Sequence, residues 1–382
     1  MEDYDVAIVG GGPAGSSCAR SLTRSGQRVV IVDKSRFPRD KVCAGWITPE
    51  VVDALQLDSA RYSQSAVFQP ITGLIAAVGE SRPVSTIYDH AVSYGIRRRE
   101  FDEFLLRRCG ATLQLGEPLT ALRRHAGQWL LNNTIRAPVL IGAGGHFCPI
   151  ARSLGAAVGQ NERAVTAQEV EFEASEAQAE HCTVSITMPE LYFCDDLKGY
   201  AWCFRKGRYF NVGLGREEHH GLADRLNRFW MGLVEQGKVP SVVRPRFRGH
   251  AYLTRSNSPR TILDDGVLLI GDAAGLAYSE SGEGIRPAVE SGLIAAQVVI
   301  GAAGDYSRQR LGEYSALLQQ RFGARTEPPS HDPSTAKAAA ARMLMRIPWF
   351  VRHVVLERWF LRTHERALVL RGAASPQPFQ AA

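Results

Sequence analysis

The 382-residue chain reads as a mixed α/β protein: a Rossmann-type dinucleotide-binding domain, an inserted antiparallel β-sheet domain and a C-terminal helical segment. Three observations predict it. "DVAIVGGGPAGSSCARSLTRSGQRVVIVDK" runs strand, glycine-rich turn, helix, strand and acid. "GVLLIGDAAGLAYSESGEGIRPAVESGLIAAQVVIG" is a second buried strand, a Gly-Asp, a loop and a helix with a glycine-rich start. Short alternating runs lie between them ("VTAQEVEFEA", "HCTVSITM", "RYFNVGLG"), split by Gly, Pro and Asp as antiparallel strands are.

In the first element Gly10, Gly12 and Gly15 fit GxGxxG. They serve in turn a tight turn, a close approach to a pyrophosphate and close helix–strand packing. The helix start that follows offers free N–H groups and a positive dipole end to phosphates. Asp33 ends the second strand, 18 residues after Gly15, where a carboxylate holds an adenosine ribose. In "YAWCFRKG", Tyr200, Trp202 and Phe204 stand at alternate positions, so a strand puts all three rings on one face. That face is either core or the lining of a pocket. "MPELYFCDDLKGY", between two alternating runs, reads as a loop.

Composition bounds the partners. Lys337 to Arg371 carries eight basic residues against two acids, which accounts for the whole formal net charge of +6. The rest is neutral, so the charge suits a local anionic surface and not nucleic acid. Seven cysteines without a CxxC pair argue against a disulfide framework and against a metal site. No charge-free apolar run reaches the ~18 residues of a spanning helix. "YDVAIVGGG" opens the sequence, which leaves no room for a signal peptide. The expectation is a cytoplasmic protein. In the tail, Pro348 is expected to break or start a helix. Arg358, Arg362 and Arg366, spaced by four, are expected on one helix face, among Trp349, Phe350, Trp359 and Phe360. This segment either packs on the dinucleotide domain or sits peripherally on the anionic inner face of a membrane.

The paired Gly-rich elements resemble the FAD-dependent oxidoreductases with the p-hydroxybenzoate hydroxylase type of fold. The resemblance implies that Asp272, after Gly271, binds the flavin ribitol. It implies that the helix opening at Gly282, Gly284 and Ile285 aims its N–H groups at the flavin ring edge. "IRRREFDEFLL" resembles the group's R-x-x-F-D-x-x-L, which places Arg98 at the FAD, and implies an adenine contact near Leu122. "VLIGAGGHFCPIAR" has Gly144 where hydroxylases have Asp.

Two further stretches, "FPRDKVCAGWITPEVVDAL" and "GYAWCFRKGRYFNVGLG", resemble the geranylgeranyl reductase family, with Ala44 in place of a glycine and Arg205 in place of a proline. The resemblance implies FAD as cofactor and hydride transfer from reduced flavin to a double bond of an isoprenoid. It leaves NAD(P)H or ferredoxin open as electron donor. Cys43, Tyr200 and Trp202 are its catalytic candidates. Gly10, Gly12, Ala14, Gly15, Asp33, Lys34, Ala44, Arg98, Leu122, Gly271, Asp272, Gly282, Gly284 and Ile285 are its cofactor-binding candidates. The expected domains are FAD-binding at 1–60, 97–160 and 256–330, substrate-binding at 61–96 and 161–255, and a helical basic segment at 331–382. The rival readings are an FAD monooxygenase of the same fold and a flavin-binding, lipid-sequestering or resistance factor without turnover.

Overall fold

A computed structural model describes residues 1–79, 81–158, 162–217, 220–324 and 335–370. The expected boundaries at 160–161 and 330–331 and the end of the chain, 371–382, lie outside the described residues.

The strands Val6–Val9, Val29–Asp33, Val139–Gly142 and Val267–Leu269 are apolar without interruption. Such runs suit a sheet covered on both faces. They pair in parallel in a six-stranded sheet, flanked by Thr112–Leu115 on one edge and the antiparallel Leu263–Asp264 on the other. The helix Pro13–Arg24 leaves the first strand through a turn that only glycine permits. Gly10 has φ +116°, and a Cβ on Gly15 would fall 1.9 Å from the Gly10 carbonyl oxygen. The helix Ile285–Ala302 lies against it, so close at Gly292 that a Cβ there would meet the Ala14 carbonyl oxygen at 2.4 Å. By length and composition this helix could cross a membrane, but it is 78% buried inside the protein. Its packing brings the N-termini of both helices to one end of the sheet.

The second large sheet has seven strands in the order Arg248–Tyr252, Val165–Glu173, Tyr209–Arg216, Gly199–Lys206, Glu190–Phe193, Gly73–Val78 and Val84–Ile87. The expectation fails around its middle. "HCTVSITM" forms no strand, and Glu190–Phe193, inside the stretch read as a loop, does. That run is held by partners remote in sequence: parallel to Gly73–Val78 and antiparallel to Gly199–Lys206. One face of the sheet carries Cys203, Phe210 and Val212 under the helix Leu222–Glu235. The other carries Trp202 and Phe204.

The C-terminal segment packs on that second face. Pro348 starts a helix, as expected, with Ile347 extended before it. The helix continues as a wider π-type helix over Val351–Phe360. Val351, Val355, Leu356 and Phe360 bury themselves against Leu74, Val78, Trp202 and Phe204. The segment therefore covers the seven-stranded sheet; toward the dinucleotide domain Phe360 meets Trp46, and the residues past the helix end are tethered there. Arg286 donates to the carbonyls of Glu365 and Arg366 (2.9 and 3.2 Å), and Arg321 to that of Arg366 (2.9 Å). The three arginines do not share a helix face, because the helix ends before Arg362, whose φ is +50°. Arg362 instead lies over the Tyr278 ring at 3.9 Å and pairs with Glu365.

Candidate active site

A cavity of about 500 Å³ runs from the first glycine turn to the face of the seven-stranded sheet. At one end are Gly10, Gly12, Ala14, Asp33 and Lys34. The helix Pro13–Arg24 has no side-chain cap at Gly12, so its first N–H groups are free for a ligand. Asp33 accepts hydrogen bonds from Gly11 N (2.7 Å) and Ser35 N (2.8 Å), which fixes its carboxylate at the mouth of the turn. In the middle stand Asp272, Gly282, Gly284 and Ile285. At the helix Ile285–Ala302 the Arg286 N–H donates to Glu283 Oε1 (3.1 Å) and Pro287 has no N–H, which leaves the N–H groups of the cavity-lining Gly284 and Ile285 for a ligand. Two helix starts opening on one elongated cavity fit a dinucleotide with a negative pyrophosphate and an electron-rich ring edge.

Gly15 and Gly271 act by close packing and do not line the cavity. A Cβ on Gly271, at φ +57°, would meet the Ala14 Cβ at 3.0 Å. Leu122 does not reach the cavity either. It begins the edge strand Leu122–His125 of a separate four-stranded sheet, and Pro118 and Leu119 line the cavity in its stead.

Arg98 lines the cavity but is bound on both forks to Asp102 (2.7 and 2.8 Å). Burial opposes its charge, and the Asp102 carboxylate more than restores it. The guanidinium also lies against the Cys43 thiol, so Arg98 meets both the cofactor end and the far wall. That far wall is formed by Cys43, Ala44, Trp46, Ala167, Tyr200 and Trp202. Tyr200 and Trp202 line it, whereas Phe204, on the same strand face, packs on Trp46 with ring centroids 5.6 Å apart and is core. Trp202 Nε1 donates to Asn211 Oδ1 (2.7 Å), and Tyr200 Oη donates to the Ser281 carbonyl (2.6 Å). A Cβ on Gly213 would lie 2.2 Å from the indole, so that glycine makes the room Trp202 occupies.

Several residues that reach the site carried no motif in the sequence. Lys41 Nζ donates to His250 Nε2 (2.5 Å), and Asp272 Oδ2 lies 3.6 Å from the same nitrogen. Burial, reinforced by the Lys41 charge, lowers His250 to about 4. Burial works against the Asp272 carboxylate, but His250 and Lys41 overcome it and hold it at about 2. His146 and Phe147, beside Gly144, complete the rim. "KVC" pointed to Cys43 and passed over its neighbour Lys41. His250 arrives only because Arg248–Tyr252 pairs with Val165–Glu173.

Comparison with known proteins agrees with this geometry. The description of an FAD-binding domain matches residues 3–316, and the chain belongs to that family. Among its relatives is the digeranylgeranylglycerophospholipid reductase of Methanocaldococcus jannaschii, 27% identical over 83% of each chain. The protein of that name from Thermoplasma acidophilum is 27% identical, over 84% of this chain and 85% of its own. An uncharacterised protein of Methanosarcina barkeri is 29% identical, over 81% and 79%. The fold is shared with a geranylgeranyl bacteriochlorophyll reductase-like protein of Thermoplasma acidophilum (TM-score 0.73, 22% identity, 96% of this chain and 93% of that one). It is also shared with the halogenase PltM in complex with phloroglucinol and FAD (TM-score 0.64, 16% identity, 98% and 88%). The protein is an FAD-dependent oxidoreductase.

Proposed function

We propose that this protein saturates carbon–carbon double bonds of an isoprenoid chain. The observation that carries the reading is the wall of Cys43, Tyr200 and Trp202 facing the start of the helix Ile285–Ala302 across one cavity. Bound FAD in its reduced form supplies a hydride. Gly12, Ala14 and Asp33 hold the adenosine end. Lys41 and Asp272 lie along the middle, and the helix start at Gly284 and Ile285 favours negative charge at the ring edge. Trp46, Tyr200 and Trp202 shape an apolar slot, exclude water and place π faces where an alkene carbon becomes electron-poor. The Tyr200 proton is committed to the Ser281 carbonyl, which favours Cys43 as the group that hands a proton to the second carbon. Relatives named as reductases of a geranylgeranyl phospholipid support an isoprenoid substrate.

A peripheral hold on an anionic bilayer accompanies this reading. Met343, Leu344, Ile347 and Trp349 are exposed, Trp349 by 66%, beside Arg346 on the outer side of the C-terminal segment. Apolar side chains interleaved with arginine suit a headgroup boundary. The test of the reaction is product analysis. Chemically reduced protein given a geranylgeranyl lipid without oxygen should yield lipid with one H₂ added per reduced bond. Lipid recovered unchanged would overturn the reading.

A further inference from the structure

We propose that Glu169 stores the proton that Cys43 delivers, acting as an acid behind the cavity wall. This rests on the reductase reading above. Glu169 stands on the strand Val165–Glu173, second from one edge of the seven-stranded sheet, where alternation puts Ala167, Glu169 and Glu171 on one face. Ala167 lines the cavity, and Glu169 lies one step deeper, 6% exposed. The Cys43 backbone N–H lies close enough to the Glu169 carboxyl to favour its charge. Asn211 donates to the Cys43 carbonyl (3.1 Å) and to Glu171 Oε2 (3.4 Å), accepts from Trp202, and lies near enough to Glu169 to favour its charge. Cys43, Glu169, Asn211 and Trp202 are thus one connected cluster. The Cys43 sulfur is three bonds from its own backbone nitrogen, so thiol and acid are about 3–7 Å apart, within reach of direct contact or a short water bridge.

Two carboxylates share this face and meet opposite surroundings. Glu171 accepts from Lys206 Nζ (3.1 Å) and Arg97 Nε (3.0 Å), and these partners hold it ionised. Glu169 Oε2 has no hydrogen-bond partner, and a buried carboxylate in that position is costly. Arg248, opposite Glu169 in the pairing, turns to Asp40 at the surface, and Gly213 on the other side has no side chain. Lys206 and Arg97 are engaged by Glu171, and Arg98 by Asp102. Burial therefore raises Glu169 to about 8, with the Glu171 charge adding to it, against the Cys43 N–H, Lys206 and Asn211. Environments that split a pair of carboxyls into an acid and an anion assign the two roles.

The step balances. One alkene carbon gains hydride from the reduced cofactor. The other gains the Cys43 S–H proton, and the electron pair of that bond stays on sulfur beside the Arg98 guanidinium. The Glu169 proton then passes to the thiolate, and the carboxylate regains one from solvent after product leaves.

Glu169→Gln in the holoenzyme tests this, because glutamine copies the shape and hydrogen bonding of the neutral acid. In wild type the alkene-reduction rate should fall as pH rises through about 8. The variant should keep FAD, lose roughly tenfold or more in rate, within the range general acids contribute, and lack that limb. A merely structural role predicts full rate in the glutamine variant. Infrared titration of the cofactor-free protein is independent of activity. Two buried carboxylic-acid bands should vanish in wild type as pH rises, that of Glu283 through about 7 and that of Glu169 through about 8, and only the second should be absent from Glu169→Gln. Equal rates and pH profiles in the two proteins, or no second band in wild type, would overturn the proposal. If Glu169→Gln does not fold, that wild-type band and a Glu169→Asp variant decide it in the same way. Wild type that reduces no isoprenoid overturns the reductase reading instead, a result distinct from wild type and variant turning over equally.

Discussion

Replacing Phe360 with alanine removes the ring that joins the C-terminal segment to the wall of the cavity. Phe360 is 1% exposed and meets the rings of Tyr200, Trp46 and Phe193 at 5.3, 5.9 and 5.9 Å. Truncating a buried Phe costs about 3–5 kcal/mol, and aromatic contacts add about 0.5–1.5 kcal/mol each beyond area. The hole cannot close by sliding the helix end inward, because Arg286 and Arg321 tether the carbonyls of Glu365 and Arg366 just beyond it. The expected loss is therefore about 4 kcal/mol, or roughly 5 °C in Tm for a chain of this length. FAD content should be unchanged, since Phe360 does not line the cofactor end. Loosened backing of Tyr200 should raise KM for the lipid and lower kcat. Thermal melts of both proteins, with FAD content measured beforehand, read this out. A Phe360→Ala variant melting within about 1 °C of wild type would refute the claim that this segment is part of the core.

Asp33→Ala removes the acceptor of the Gly11 and Ser35 N–H groups and a carboxylate at the ribose position. FAD affinity should fall by about 1.5–3 kcal/mol, measured by equilibrium binding to apoprotein, and unchanged affinity would contradict the assignment. Gly213→Ala would place a Cβ 2.2 Å from the Trp202 ring and 2.7 Å from the Gln168 carbonyl oxygen. The indole must swing away from Asn211, so tryptophan fluorescence and kcat should change while FAD content stays. Native fluorescence with native turnover would show that the fixed indole is dispensable. Full-length protein should float with anionic vesicles at low salt and leave them at high salt, with each arginine at the surface adding about 1 kcal/mol. Ile347→Ser with Trp349→Ser should abolish flotation, and equal flotation of the double variant would remove this face as the contact.

The cofactor half was legible because its chemistry needs fixed spacings. Gly10, Gly12 and Asp33 line one end of the cavity within a short stretch of chain, with Gly15 packed beneath the turn, and Asp272 and Gly284 repeat the device. Leu122 was misplaced because the chain reaches the cavity at Pro118 and Leu119 and then turns into another sheet. The substrate half depends on pairings distant in sequence. Alternation put Tyr200, Trp202 and Phe204 on one face, but only the packing of Trp46 separates the core ring from the two lining the cavity. Lys41 and His250 are 209 residues apart, and no local pattern brings them together. Glu169 looked like any charged residue of an alternating strand until its neighbours were in place. In the tail, the same aromatic types settle in a core or at a bilayer, and Phe360 and Trp349 divide between these fates.

The most direct test of the reaction is anaerobic mixing of the reduced holoprotein with a geranylgeranyl lipid, followed by the absorbance of oxidised flavin and mass analysis of the lipid. The account predicts that oxidised flavin returns at a rate set by lipid concentration, with one double bond saturated per flavin oxidised. Flavin that stays reduced in the presence of lipid, and is oxidised only when oxygen is admitted, with oxygen then found in the product, would contradict it and identify a monooxygenase.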